Sequence, residues 1–107
     1  MDPNALKAFV RLISKEKDLP ADILKEAIEH AILSVSRKQL SQYRDAVVDL
    51  NLETGQLTTT VTKTVADEAP KGDRLIIGLK EARKVLANRK IKAGEEVRVP
   101  IDPAELG

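Results

Sequence analysis

His30 is the only histidine, and Glu26 and Glu29 stand close to it in the chain. An imidazole beside carboxylates is the material of a metal site or of a general base. A metal ion needs three or four convergent ligands, however, and one imidazole with two neighbouring acids does not supply them. His30 is therefore read as a structural residue at the edge of a helix's apolar face. Ser14, Ser34, Ser36 and Ser41 are candidate nucleophiles, but none stands in the glycine-flanked turn that exposes a catalytic hydroxyl. There is no cysteine, hence no thiol nucleophile, no disulfide and no zinc–thiolate centre. The five glycines stand singly, so there is no phosphate-cradling loop. The chain is expected to carry no catalytic residue, no metal and no cofactor, and to act by binding.

Three groups of residues could serve binding. Arg37, Lys38 and Arg44 gather positive charge at the end of a helical stretch, where they would compensate the helix dipole. Leu33 and Leu40, one heptad apart, fall among the polar residues of the same stretch, with Glu29 and Arg37 at their edge. Either a neighbouring part of the fold covers these leucines, or they form an exposed apolar stripe for a partner helix. Arg83, Lys84, Arg89, Lys90 and Lys92 read as a solvated basic face, with RNA contact as the alternative.

The charge balance limits the partners. The chain has 107 residues and a net charge of +1. Residues 1–44 hold eight Lys/Arg against six Asp/Glu, residues 45–70 one against five, and residues 71–107 nine against six. That is not the strongly basic balance of an autonomous nucleic-acid binder. With 42% apolar and 33% charged residues the composition is that of a globular domain, and the length suits a single one covering 1–107. Phe9 and Tyr43 are the only aromatics, so the core must be aliphatic. No run approaches the roughly 20 apolar residues of a membrane span, and no signal-peptide pattern opens the chain. A membrane partner is not expected, and the lack of cysteine suits a reducing, cytoplasmic setting.

The elements that must position these residues follow from periodicity. Asp2-Pro3 is a helix opening, a capping carboxylate followed by proline at the first helical position. Leu6, Phe9, Val10 and Ile13 then make one apolar stripe on a helix over 3–16. Pro20 opens a second helix that runs to about residue 40, with Asp22 in its first turn. Its broad apolar face carries Ile23, Leu24, Ala27, Ile28, Ala31, Ile32 and Val35. Phe9, Ile13, Ala27, Ile28, Ala31 and Val35 are expected to be buried together.

Near Asp45 the period changes to two. Strands are predicted over 46–52 and 57–66 around a Thr54-Gly55 turn, with a threonine series (Thr58, Thr60, Thr62 and Thr64) on a solvated face. Leu75 to Ile77 form a short strand or simply pack. Residues 79–87 read as a short helix capped by Gly78. A strand over 96–101 lies at an edge or ends at Pro100, which lacks the ladder donor. Asp102-Pro103-Ala104-Glu105 is a further helix opening, and its place at the end of the chain suggests a piece cut from a longer protein. The whole is an α+β fold: two N-terminal helices as a body, a small β-sheet head of a hairpin plus a third strand, a short helix, and the start of a linker helix.

The order and spacing of these segments resemble the N-terminal domain family of the bacterial transcription factor NusA. Leu19-Pro20, Ile23, Glu26-Ala27-Ile28-Glu29 and Ala31-Ile32 are similar to the family's second helix, and Arg37-Lys38 to the basic pair near its end. Ala46 to Asn51 with Thr54-Gly55 resembles its first strand and turn. Ile77 and Leu79-Lys80-Glu81-Ala82-Arg83 are similar to its short helix. Gly94-Glu95-Glu96-Val97 and Ile101-Asp102-Pro103 look like its last strand and the linker helix. Leu40 stands where the family often has tyrosine, Gly78 where it often has a capping serine, and Arg89-Lys90-Ile91-Lys92 is more basic than the family pattern.

The resemblance implies a non-enzymatic module that docks on the flap region of RNA polymerase near the RNA exit channel and modulates pausing, termination and antitermination. It implies a monomer that meets nascent RNA only when docked and is followed in its own chain by RNA-binding OB-fold and KH domains. On that reading Arg37, Lys38 and Arg44 form an RNA-proximal basic surface, and Glu29, Leu33, Arg37 and Leu40 are candidates for polymerase docking. The alternative is a small stand-alone protein- or RNA-binding module unrelated to transcription.

Overall fold

The computed structural model describes residues 2–101, and the helix opening read at Asp102 to Glu105 lies outside them. Along the chain run α1 (Pro3–Lys17), α2 (Ala21–Val35), α3 (Arg37–Leu40), β1 (Arg44–Leu50), β2 (Leu57–Ala66), β3 (Ile76–Gly78), α4 (Leu79–Val85) and β4 (Glu96–Pro100). The fold is α+β, with β2 hydrogen-bonded to all three other strands. β3 pairs with β2 in parallel, Val65 opposite Ile77. β4 pairs with it antiparallel, Val61 opposite Val99. The chain divides into two compact units: residues 1–37 with 48–58, and residues 38–47 with 59–107.

In the first unit, α1 begins as its sequence predicts. The Asp2 carboxylate accepts the Asn4 N–H at 3.0 Å, and Pro3 sits at the first helical position. The helix ends at Asp18, a left-handed residue with φ 53° whose N–H returns to the Ser14 carbonyl. Leu6, Val10 and Leu50 form the core, with Leu24, Ile28, Leu52 and Leu57 packed against it. The core between the helices is narrower than expected, with Ile28 packed against the cluster of Leu6, Val10 and Leu50. Ile28 and Ile13 are half-buried, whereas Phe9, Ala27, Ala31 and Val35 are exposed. The apolar stripe on each helix is wider than the surface available to cover it, and Leu50, Leu52 and Leu57 of the hairpin end cover only one flank.

That hairpin end is built by turn chemistry. The Asn51 side-chain oxygen accepts the N–H groups of Glu53 and Thr54, which draws the chain out of β1 at Leu50 and not at residue 52. Gly55 follows at φ 76° and donates its N–H to the Asn51 carbonyl. A methyl group on Gly55 would stand 1.8 Å from the Pro3 carbonyl oxygen.

α2 also stops early, at Val35 and not near residue 40. Ser36 leaves helical geometry at ψ 1° while its N–H still reaches the Ile32 carbonyl. A β-branched residue followed by serine offers little to prolong a helix. The chain restarts as the single turn α3.

In the second unit, Leu40, Tyr43, Val61, Val65, Ile77, Ala82, Ile91, Val99 and Ile101 are buried. β3 is a true strand, prepared by Asp73, whose carboxylate accepts the N–H groups of Leu75 and Ile76 at 2.9 Å. Gly78 takes an extended conformation as the N-cap of α4, as expected. β4 pairs with β2 alone and ends at Pro100.

Candidate docking and RNA-proximal surfaces

The two helices of the first unit leave large apolar side chains in solvent. Phe9 and Leu12 on α1 are each 54% exposed, and Ile23 on α2 is 53% exposed. Leu33 is half-buried. Arg37 is exposed and makes no ion pair among the described residues.

Glu29 belongs to the framework. Its carboxylate accepts the Leu50 N–H at 2.7 Å and the Lys25 ammonium at 2.9 Å. Lys25 also reaches Asp49 at 3.4 Å, and both carboxylates hold its pKa above the ordinary value. Leu40 is 5% exposed and packs inside the second unit, so it offers no surface to a partner helix. Of the two readings of these leucines, coverage by the fold holds for Leu40.

Arg37, Lys38 and Arg44 do not form one helix end. α2 has no basic residue in its last turn, so dipole compensation does not describe them. Arg37 and Lys38 open α3, and both are exposed. Arg44 is the first residue of β1, where its guanidinium donates to Glu96 at 2.8 Å and to Thr64 at 3.5 Å. The hydrogen bond and charge of Glu96 raise the Arg44 pKa further.

The threonine face of β2 is less solvated than its composition suggests. Arg98 on β4 donates to the Thr62 hydroxyl at 3.0 Å, the Thr60 carbonyl at 3.0 Å and the Asp45 carbonyl at 2.6 Å. Thr62 is buried beneath it. Lys63, expected in the apolar series of β2, keeps its ammonium 5.9 Å from the centre of the Tyr43 ring. His30 is exposed, and no group of acids and imidazoles among the described residues could hold a metal. No helix among them is long and apolar enough to cross a membrane.

What sequence reasoning missed is the set Phe9, Leu12 and Ile23. Phe9 is expected in the core and Ile23 on the apolar face of its helix, and both stand in solvent. Their exposure depends on which flank of each stripe the hairpin covers, and no local signal reports that.

The family model described as the NusA N-terminal domain matches residues 5–107. The transcription termination/antitermination protein NusA of Bacillus subtilis is 32% identical over 96 residues, which is 90% of this chain and 25% of that protein. The protein of the same name from Halalkalibacterium halodurans is 30% identical over 95 residues, 89% of this chain and 24% of that one. The chain thus spans about a quarter of the length of these relatives. The solution structure of the N-terminal domain of NusA from B. subtilis superposes with a TM-score of 0.62 at 31% identity, covering 100% of this chain and 83% of that one.

Proposed function

The chain belongs to the NusA N-terminal domain family, that of a transcription termination and antitermination factor, and from that membership we propose that it is a non-enzymatic module docking on RNA polymerase beside the flap and the RNA exit channel. The observation that carries this reading is the exposure of Phe9, Leu12 and Ile23 on the helices of the first unit. Phe9 and Leu12 stand three residues apart on α1 and so on neighbouring positions of its surface, and an exposed aromatic beside an aliphatic side chain is a common energetic anchor of a protein interface. Leu33 and Arg37 would stand at the rim of that interface, while Glu29 and Leu40 serve the fold.

The mechanism is positional. Docking would hold Arg37 and Lys38 beside the emerging transcript at high effective concentration, so that contacts too weak to matter in free solution come to count. Favouring an RNA hairpin there shifts a pause equilibrium that already exists, which requires only differential contact with the paused state. Near-neutral charge and two aromatics leave the free chain a poor RNA binder at physiological salt. The domain would act as a cytoplasmic monomer ahead of RNA-binding OB-fold and KH domains in its own chain.

Co-purification and titration of this protein with RNA polymerase, and with its isolated flap, test the reading. Weak to moderate binding is expected, strongly reduced in F9S/L12S at unchanged melting temperature. Equal binding by that variant would remove the apolar surface from the interface.

A further inference from the structure

We propose that the turn following α4 is a second, independent anion-binding surface, which takes the phosphate backbone of a nucleic acid by charge and not by sequence. Between Glu81 and Glu95 the chain holds five cations, Arg83, Lys84, Arg89, Lys90 and Lys92, and no acid. Lys84, Arg89, Lys90 and Lys92 are exposed. None of the five makes an ion pair among the described residues, where Lys25 and Arg44 do. A solvated face normally intersperses the two signs, and an unbalanced one keeps its field for a partner.

The turn is also built to hold its shape. The Arg83 Nε–H donates to the Ile91 carbonyl at 3.0 Å. The Asn88 N–H returns to the Arg83 carbonyl at 3.0 Å, and Ala87 adopts φ 51° between them. The Asn88 side-chain oxygen accepts the Lys90 N–H at 2.9 Å. Ile91 is buried and pins the segment from inside, so Lys90 and Lys92 on either side of it are displayed outward. Arg83 is thus a positioning residue, and Lys84, Arg89, Lys90 and Lys92 are the contact residues. A cationic surface held by hydrogen bonds and one apolar anchor loses little backbone freedom on binding.

The class of partner follows from what the surface lacks. Ile91, the apolar side chain within the Arg89–Lys92 run, is buried and unavailable, whereas a protein interface is normally centred on buried apolar or aromatic anchors. Residues 79–101 hold no aromatic with which to stack a base. Val85 beside Lys84 is exposed, but the Arg89–Lys92 run itself offers charge alone, and a closely spaced row of phosphates is the polyanion that charge alone can hold. This surface is distinct from Arg37 and Lys38, and its test needs no polymerase, so it stands or falls apart from the docking reading.

The experiment is fluorescence anisotropy of a labelled RNA hairpin, and of a DNA hairpin of the same sequence, titrated with this protein over a series of salt concentrations. The parent should bind both weakly at low salt and similarly to each other. R89Q/K90Q/K92Q should lose roughly tenfold in affinity, and its slope of log affinity against log salt should fall by roughly 2–3, one phosphate contact per cation. R89K/K90R/K92R should bind as the parent does. K7Q/R11Q/K15Q, with the same loss of net charge on α1, should lose much less. Equal losses in the two Gln variants would reduce the effect to net charge and overturn the proposal. Competition by polyglutamate as effective as by the hairpin at equal charge would overturn it in favour of an acidic protein.

Discussion

The Glu29 carboxylate accepts the Leu50 backbone N–H at 2.7 Å, tying α2 to the last residue of β1. Leu50 is 1% exposed and stands in the core of its unit, so this N–H has no water to turn to. Glu29→Ala should cost about 1–3 kcal/mol, the penalty of a buried donor left without its acceptor. Urea unfolding at neutral pH measures it. A cost no larger than that of Lys25→Ala would show that the surface ion pair, and not the backbone bond, is what Glu29 supplies.

The same bond makes stability depend on pH. Partial burial pushes the Glu29 carboxyl up, but the Leu50 N–H, the Lys25 ammonium and His30 together outweigh it and hold the group below its ordinary value. A carboxyl depressed in the folded state contributes its stability in full above the unfolded value, about 4.3, and loses it as pH falls through the folded value. Unfolding free energy measured from neutral pH into acid should therefore fall more steeply in the parent than in E29Q, the curves separating below about pH 5. Parallel curves would place the acid sensitivity elsewhere.

Gly55 and Gly72 separate two costs of a side chain at positive φ. They have nearly the same φ, 76° and 79°, but a methyl group on Gly55 meets the Pro3 carbonyl while one on Gly72 meets nothing within 4 Å. Gly72→Ala should cost only the conformational part, about 1–2 kcal/mol. Gly55→Ala should cost clearly more, since α1 or the turn must also move. Melting temperatures of the two variants give the comparison, and equal losses would mean that the α1 contact yields freely.

Phe9 and Leu50 should respond oppositely to truncation. Leu50→Ala removes a fully buried side chain and should cost about 2–5 kcal/mol. Phe9→Ala, at an exposed position, should stay within about 0.5 kcal/mol in stability while weakening polymerase binding. Chemical denaturation paired with a polymerase titration reads both.

Arg37→Gln with Lys38→Gln, placed in a NusA protein carrying this domain, should weaken pause enhancement and its salt sensitivity while leaving polymerase binding nearly intact. Arg44→Gln should instead lower stability, because Arg44 is engaged with Glu96 and Thr64. Loss of polymerase binding in the double variant would make the basic pair a docking contact.

Much of this molecule is local and could be read from the chain. Asp2-Pro3 sets where α1 begins, Gly78 caps α4, and the alternation over 57–66 specifies β2, because capping, proline geometry and side-chain period act within a few residues. Gly55 likewise marks its turn, whereas Asn51, which the alternation over 46–52 places in a strand, is the residue whose side chain ends β1. The charge run Arg83 to Lys92 is plain in the sequence, but the hydrogen bonds that fold it back on α4 are not. Only the tertiary structure decided which flank of each apolar helix stripe is covered. Periodicity places Phe9 and Val10 on one stripe. Whether Leu50 meets Val10 and leaves Phe9 in water depends on a hairpin some forty residues further along the chain. The same holds for Arg44, whose partner Glu96 lies fifty-two residues away. Burial and ion pairing are settled by such distant encounters, and a local pattern records the capacity for them without the outcome.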